Sequence, residues 1–462
     1  MSQFLVDWDS ASQLPMTATT ARATLKDSAR AFNRIVTLRL AGAVSGVAGP
    51  LIRVGGLGGL AAIGDLLEVE TAPGQVVPAE IVGLDEMTAS ALPFGPVAGI
   101  RPGATALRSG APTLAVSDHW LGRVIDPLGR PLDGLPPPRP GPVPHLLRTL
   151  PPPAAERRRL GKAFTLGVRA LDAFVPCRVG QRLAVFAGSG VGKSTLMATL
   201  AREASADVIV VGLVGERGRE LREFVEDALS PAARARSVVV TATSDRPAPL
   251  RRACADAAMT VAEHFRDRGR HVLLILDSIT RACHALREVG LSLGEPPSVR
   301  GYTPGVFSEL PRLLERAGPG PEGAGDITAL VSVLVESDDV QDPVADFIRG
   351  IVDGHIVMDR RIAETGLFPA IDVLRSLSRG SEAALPPHAQ ELVRRARRLL
   401  STWERVADLV RMGAYRAGAD PEVDAAIAAR PALERFLAQD RGQPPGAHLF
   451  DQLAACLPVE GP

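Results

Sequence analysis

Leu183-Ala184-Val185-Phe186-Ala187-Gly188-Ser189-Gly190-Val191-Gly192-Lys193-Ser194-Thr195 is the stretch whose reading decides the fold. Its apolar opening reads as a strand, the glycines at 188, 190 and 192 as a turn, and 194–203 as the start of a helix. Strand, glycine loop and helix in that order are the context of a phosphate-binding loop. Glycines let backbone N–H groups surround phosphate oxygens, and the helix N-terminus adds partial positive charge. On this reading Gly188, Ser189, Gly190, Val191, Gly192 and Thr195 cradle a nucleotide. Lys193 reaches the β- and γ-phosphates and Ser194 ligates Mg²⁺. The first loop position holds Ala187 where the general pattern has glycine.

Working outward, apolar runs at 182–186, 208–214, 238–240, 272–276 and 327–335 alternate with helical segments. Such continuous apolar strands imply a parallel sheet buried on both faces. The run before Asp277 reads as a Walker B strand, because an aspartate at the C-terminal end of a buried strand meets the phosphate loop at the ligand crevice. A water nucleophile needs a carboxylate to orient it, and Glu216 follows the apolar run 208–214 in a glycine-flanked turn. Glu220 and Glu223 are spaced as members of the next helix and are expected in surface pairs.

At 462 residues the chain should form two or three domains. Formal charge is zero, which removes the simple electrostatic case for nucleic-acid binding. Cys177, Cys254, Cys283 and Cys456 form no C-x-x-C pair and read as reduced residues of a cytoplasmic protein. Residues 1–10 lack the basic and apolar regions of a secretory signal. The segment 41–64 is long enough to span a bilayer, but its glycines and Pro50 favour strands of a small barrel. The domains expected are an N-terminal segment at 1–32, a β-barrel at 33–126, a proline-rich linker or strap at 127–158, a RecA-like α/β ATPase domain at 159–384, and a helical domain at 385–462. In the last, Arg394, Arg395, Arg397 and Arg398 read as a solvated helix face.

Taken together, GSGVGKST, VGERGRE, LLILDSITR and PAIDVLRSLSR resemble the catalytic head of rotary ATP synthases and of type III protein-export ATPases. The segments Gly294-Glu295-Pro296-Pro297, Gly301-Tyr302-Thr303-Pro304-Gly305-Val306-Phe307, Leu313-Leu314-Glu315-Arg316-Ala317-Gly318 and Asp353-Gly354-His355-Ile356-Val357 resemble the export ATPases specifically, and 300–304 with 313–319 and 351–358 look closest to the flagellar branch. The resemblance implies that Glu216 is the catalytic carboxylate, supported by Arg217, and that Arg281 lies near the γ-phosphate. It implies that Phe368 stacks on adenine, and that Arg379 is an arginine finger acting on the nucleotide of the adjacent subunit. It further implies a homohexamer that hydrolyses Mg-ATP at the cytoplasmic face of the inner membrane, below the export gate. A negative regulator would bind the N-terminal segment, about 17–32, and chaperones would bring flagellar substrates. The injectisome ATPase is the alternative. A synthase catalytic subunit is disfavoured by the basic run 394–398, an RNA translocase by the 4% aromatic content, and a non-catalytic ring subunit by the presence of Glu216.

Overall fold

A computed structural model describes residues 39–335, 342–440 and 442–458. The N-terminal segment at 1–32, with the regulator-binding stretch 17–32 expected in it, lies outside the described residues. The first domain is a closed six-stranded antiparallel barrel built from Ala41–Ala48, Leu51–Gly55, Leu66–Ala72, Gln75–Leu84, Thr88–Pro93 and Thr105–Gly110. Period-two alternation turns Ile52, Val54, Leu67, Val69 and Ile81 inward, where all are buried. Closure brings strands close together: a Cβ on Gly42 would stand 2.6 Å from the Gly55 carbonyl oxygen. The segment 41–64 thus forms barrel strands and their turns, and no helix among the described residues is long and apolar enough to cross a membrane.

The second domain is built on a nine-stranded sheet whose main path runs Ile371–Ser378, Gly354–Met358, Arg182–Ala187, Asp326–Leu334, His271–Asp277, Val208–Val214, Ser237–Ala242 and Val124–Ile125. Pairing is parallel from Gly354–Met358 to Val124–Ile125, and Ile371–Ser378 runs antiparallel at one edge. Val208–Val214 and Ser237–Ala242 are buried at every position, as expected of strands covered on both faces. Helix Ala248–Arg266 packs on one face; the opposite face meets helix Lys193–Glu203 and the C-terminal domain.

The barrel closes at Gly110, so the residues from 111 to 126, placed with the barrel on sequence grounds, belong structurally to the second domain. Val124–Ile125 extends the large sheet beside Ser237–Ala242, a two-residue strand too short for any periodicity to reveal. The proline-rich segment after it straps the same domain. Asp133 accepts from the Arg123 guanidinium at 2.7 Å, and Arg157 and Arg158 reach Glu315 at 2.8 Å and Asp326 at 2.7 Å.

Three helices, Pro387–Arg411, Pro421–Leu437 and Leu449–Ala455, complete the chain's C-terminal domain. Its arginines are divided in role. Arg394 pairs on the surface with Glu391 at 2.6 Å, whereas Arg397 donates to the carbonyls of Phe174 at 2.8 Å and Ser376 at 3.3 Å and so docks the helix on the sheet domain. All four cysteines are free, with Cys177, Cys254 and Cys283 buried.

Candidate active site

Strand Arg182–Ala187 runs into the glycine loop and then into helix Lys193–Glu203. Gly190 and Gly192 have φ of 80° and 91°, left-handed values that favour glycine and turn the loop back over the helix N-terminus. Asp277 ends the strand two places away, and Glu216 follows the next one, so three strand ends deliver their side chains to one crevice.

The chemistry gathers around the Lys193 ammonium. It donates to Asp277 Oδ1 and stands 3.6 Å from Glu216 Oε1. Ser332 Oγ donates to Asp277 Oδ1 at 2.6 Å. Arg281 Nη2 lies 3.3 Å from Glu216 Oε2, and Arg281 Nη1 donates to the Gly215 carbonyl, so it grips the turn that presents Glu216. Glu216 is only 4% exposed, and its Oε1 has no hydrogen-bond partner. Burial and the neighbouring carboxylates of Glu220 and Asp277 raise its pKa to about 7, against the opposing pull of Lys193 and Arg281. A carboxylate held there is suited to take a proton near neutral pH.

Two cavities flank the start of the loop helix and share Thr195. One, of about 360 Å³, is lined by Ser194, Glu216, Glu220, Glu223 and Asp277. The other, of about 430 Å³, is mainly apolar and lined by Val191, Leu196, Met358, Phe368 and Gln439. The Phe368 ring is 49% exposed and lies over the loop, 3.8 Å from where a Cβ on Gly192 would be.

Of the residues expected in the site, Lys193, Ser194, Glu216, Asp277 and Arg281 converge, and Phe368 faces the second cavity. Arg217 does not join Glu216. It caps the short helix Gly218–Glu223 from outside, and its exposed guanidinium is 3.7 Å from Glu220. The arginine on Glu216 is Arg281 instead, beside Lys193. Glu220 is also more than a surface partner, because it lines the acidic cavity beside Glu216 and helps to raise the pKa of that carboxyl.

Arg379 stands apart from its own loop. Ala187 pairs with Met358 and Met358 with Ile371, at the loop end of the sheet, whereas Ser378 pairs with Gly354 at the other end. Four residues of Gly354–Met358 separate the two levels, roughly 13 Å at about 3.3 Å per residue, and Ile371–Ser378 bulges between them. The exposed Arg379 guanidinium has no hydrogen bond or ion pair among the described residues.

Sequence reasoning missed three neighbours. Ser332 had a signal, a hydroxyl amid the apolar run 329–334 of strand Asp326–Leu334. Arg360, which donates to the Ser189 carbonyl at 2.8 Å, and Gln439 had none.

Phosphate loop, buried carboxylates and an apolar pocket beside the loop define a P-loop ATPase site. Family models match the three domains in turn: the ATP synthase alpha/beta family beta-barrel domain at 44–110, the nucleotide-binding domain of that family at 167–378, and the T3SS EscN ATPase C-terminal domain at 385–454. The chain is 51% identical to a flagellum-specific ATP synthase of Caulobacter vibrioides over 419 residues, covering 89% of this chain and 94% of that protein. It is 45% identical to a type 3 secretion system ATPase of Pseudomonas syringae, covering 83% of this chain and 86% of that one. The solved structure of assembled EscN with its central stalk EscO, from enteropathogenic E. coli, matches with a TM-score of 0.83 at 40% identity, covering 90% of this chain and 99% of EscN. The chain belongs to the ATP synthase alpha/beta family, and within it groups with the flagellum-specific ATP synthases and type 3 secretion ATPases.

Proposed function

We propose that this protein hydrolyses Mg-ATP to drive type III export of flagellar proteins. The observation that carries the reading is the Lys193–Asp277–Glu216–Arg281 cluster at three strand ends, in a chain 51% identical to a flagellum-specific ATP synthase.

Lys193 leaves Asp277 for the β- and γ-phosphates when nucleotide enters, and Phe368 supplies the face on which the adenine stacks. Ser194 and Asp277 would hold Mg²⁺. Both line the carboxylate-side cavity and offer the hard oxygen donors that this ion prefers. The ion would supply positive charge against the phosphate oxygens. Glu216 takes the proton of the attacking water, and Arg281 keeps its carboxylate aimed by holding both Glu216 and the Gly215 carbonyl.

Arg379 acts on the nucleotide of a neighbouring subunit. Its distance from its own loop and its unpaired guanidinium support a role across an interface, and the assembled state of EscN supports a ring, which we take to be a homohexamer. The flagellar assignment extends to the partners: a negative regulator on the N-terminal segment, chaperone-bound substrates, and an export gate above a ring seated at the cytoplasmic face of the inner membrane.

Mixing inactive Lys193→Ala and Arg379→Ala proteins should restore part of the ATPase rate, since mixed rings contain sites with both residues intact. No recovery in rings shown to be mixed by crosslinking rejects the shared site. A deletion strain should lose flagellar filaments; loss of effector secretion with filaments retained assigns the protein to an injectisome instead.

A further inference from the structure

The cavity beside Phe368 is closed by a residue of the C-terminal domain. Gln439 lies just past helix Pro421–Leu437, and its backbone N–H donates to the Phe368 carbonyl at 2.8 Å. Its side-chain oxygen accepts from the Arg169 N–H at 2.7 Å, and its side-chain nitrogen donates to the carbonyls of Gly167 and Gln443, each at 2.9 Å. Both ends of the amide are therefore engaged, which fixes its orientation. Arg169 strengthens the junction: its guanidinium donates to the Ala438 carbonyl and lies 6.0 Å from the Phe436 ring centroid.

One residue thus joins three parts: its side-chain amide holds the turn before helix Arg169–Phe174 and the C-terminal segment at Gln443, and so fixes the backbone N–H that bonds the Phe368 carbonyl. The Phe368 ring is half exposed, so packing on the ring does not by itself hold it in place. The tie reaches its backbone instead. A shift of helix Pro421–Leu437 would pull on the wall of the cavity before it disturbed the Lys193, Asp277 and Glu216 cluster, which stands on other strands.

We propose that Gln439 is a positioning residue that sets the base-stacking wall at Phe368 and transmits movement of the C-terminal helical domain to nucleotide affinity. The proposal rests on the reading of this cavity as the base pocket. It predicts an effect on binding of the nucleoside and not on phosphoryl transfer.

The experiment is a double-mutant cycle on the full-length assembled ATPase. Gln439→Ala should raise KM for ATP about three- to tenfold with kcat within about twofold. Inhibition by inorganic tripolyphosphate, which has no base, should be unchanged. Gln439→Glu keeps the acceptor for Arg169 but sets a carboxylate oxygen against the Gly167 and Gln443 carbonyls, so it should show a rise at least as large in the same direction; it also carries the test if the alanine variant does not fold. Phe368→Ala should raise KM by itself, and adding Gln439→Ala should cost little more. A raised KM in Phe368→Ala with an unchanged KM in both Gln439 variants overturns the tie alone. Full additivity, or an equal loss of tripolyphosphate inhibition, also overturns it. An unchanged KM in Phe368→Ala removes the base-pocket reading, and the tie with it.

Discussion

The two cavities on either side of helix Lys193–Glu203 are of similar size and opposite construction. The carboxylate side takes Glu216 and Asp277 from the ends of strands Val208–Val214 and His271–Asp277, each just after an apolar run, and further carboxylates from the helix Gly218–Glu223. The base side is assembled from the loop helix, the turn at Phe368 and a residue 71 positions further on, Gln439. Chemistry that needs a charge at a fixed point is placed on the most rigid part of the fold. Recognition of a flat apolar base needs only a surface, so it can be built where domains meet and can move with them.

That contrast predicts that changes on the carboxylate side act on kcat, and changes on the base side act on KM. The largest effect belongs to Lys193→Ala, which should abolish steady-state ATP hydrolysis because it removes the cation shared by both carboxylates and the phosphates; a phosphate-release assay reads this directly. Glu216→Gln should lower kcat by about 10² to 10⁴ while leaving KM for ATP within a few-fold. Because burial raises the Glu216 pKa, the base is protonated, and idle, below about 7. In wild type, kcat/KM should therefore climb as pH rises through about 7 and level off above it; a flat profile from pH 6 to 8 rejects Glu216 as the base. Ser332→Ala removes the donor to Asp277 and should lower kcat/KM about tenfold, with a higher Mg²⁺ concentration needed for half-maximal rate. Smallest of all, Phe368→Tyr keeps the aromatic face and should leave KM within about twofold. A large kcat loss from that change would break the division between the two sides.

The same division explains which residues were legible. Lys193, Asp277 and Glu216 follow apolar strands in short motifs, so local pattern and position in the fold coincide. Arg217 is adjacent to Glu216 in sequence, but helix Gly218–Glu223 begins there and turns its side chain outward, while Arg281, 65 residues later, provides the contact. Glu220 has helical spacing from its surface neighbours, and only the placement of its helix beside the loop brings it to Glu216. Arg397 resembles the three arginines around it and differs only in facing Phe174 and Ser376.

The amino-acid sequence by itself determined the phosphate loop, the strands that carry its carboxylates and the family to which the chain belongs, because these depend on short-range patterns of burial and turn formation. Tertiary structure decided which cation faces Glu216, how far Arg379 stands from its own loop, and how the C-terminal domain closes the base side. Those relations depend on strand order and domain packing, which bring distant residues within hydrogen-bonding range without leaving a local pattern.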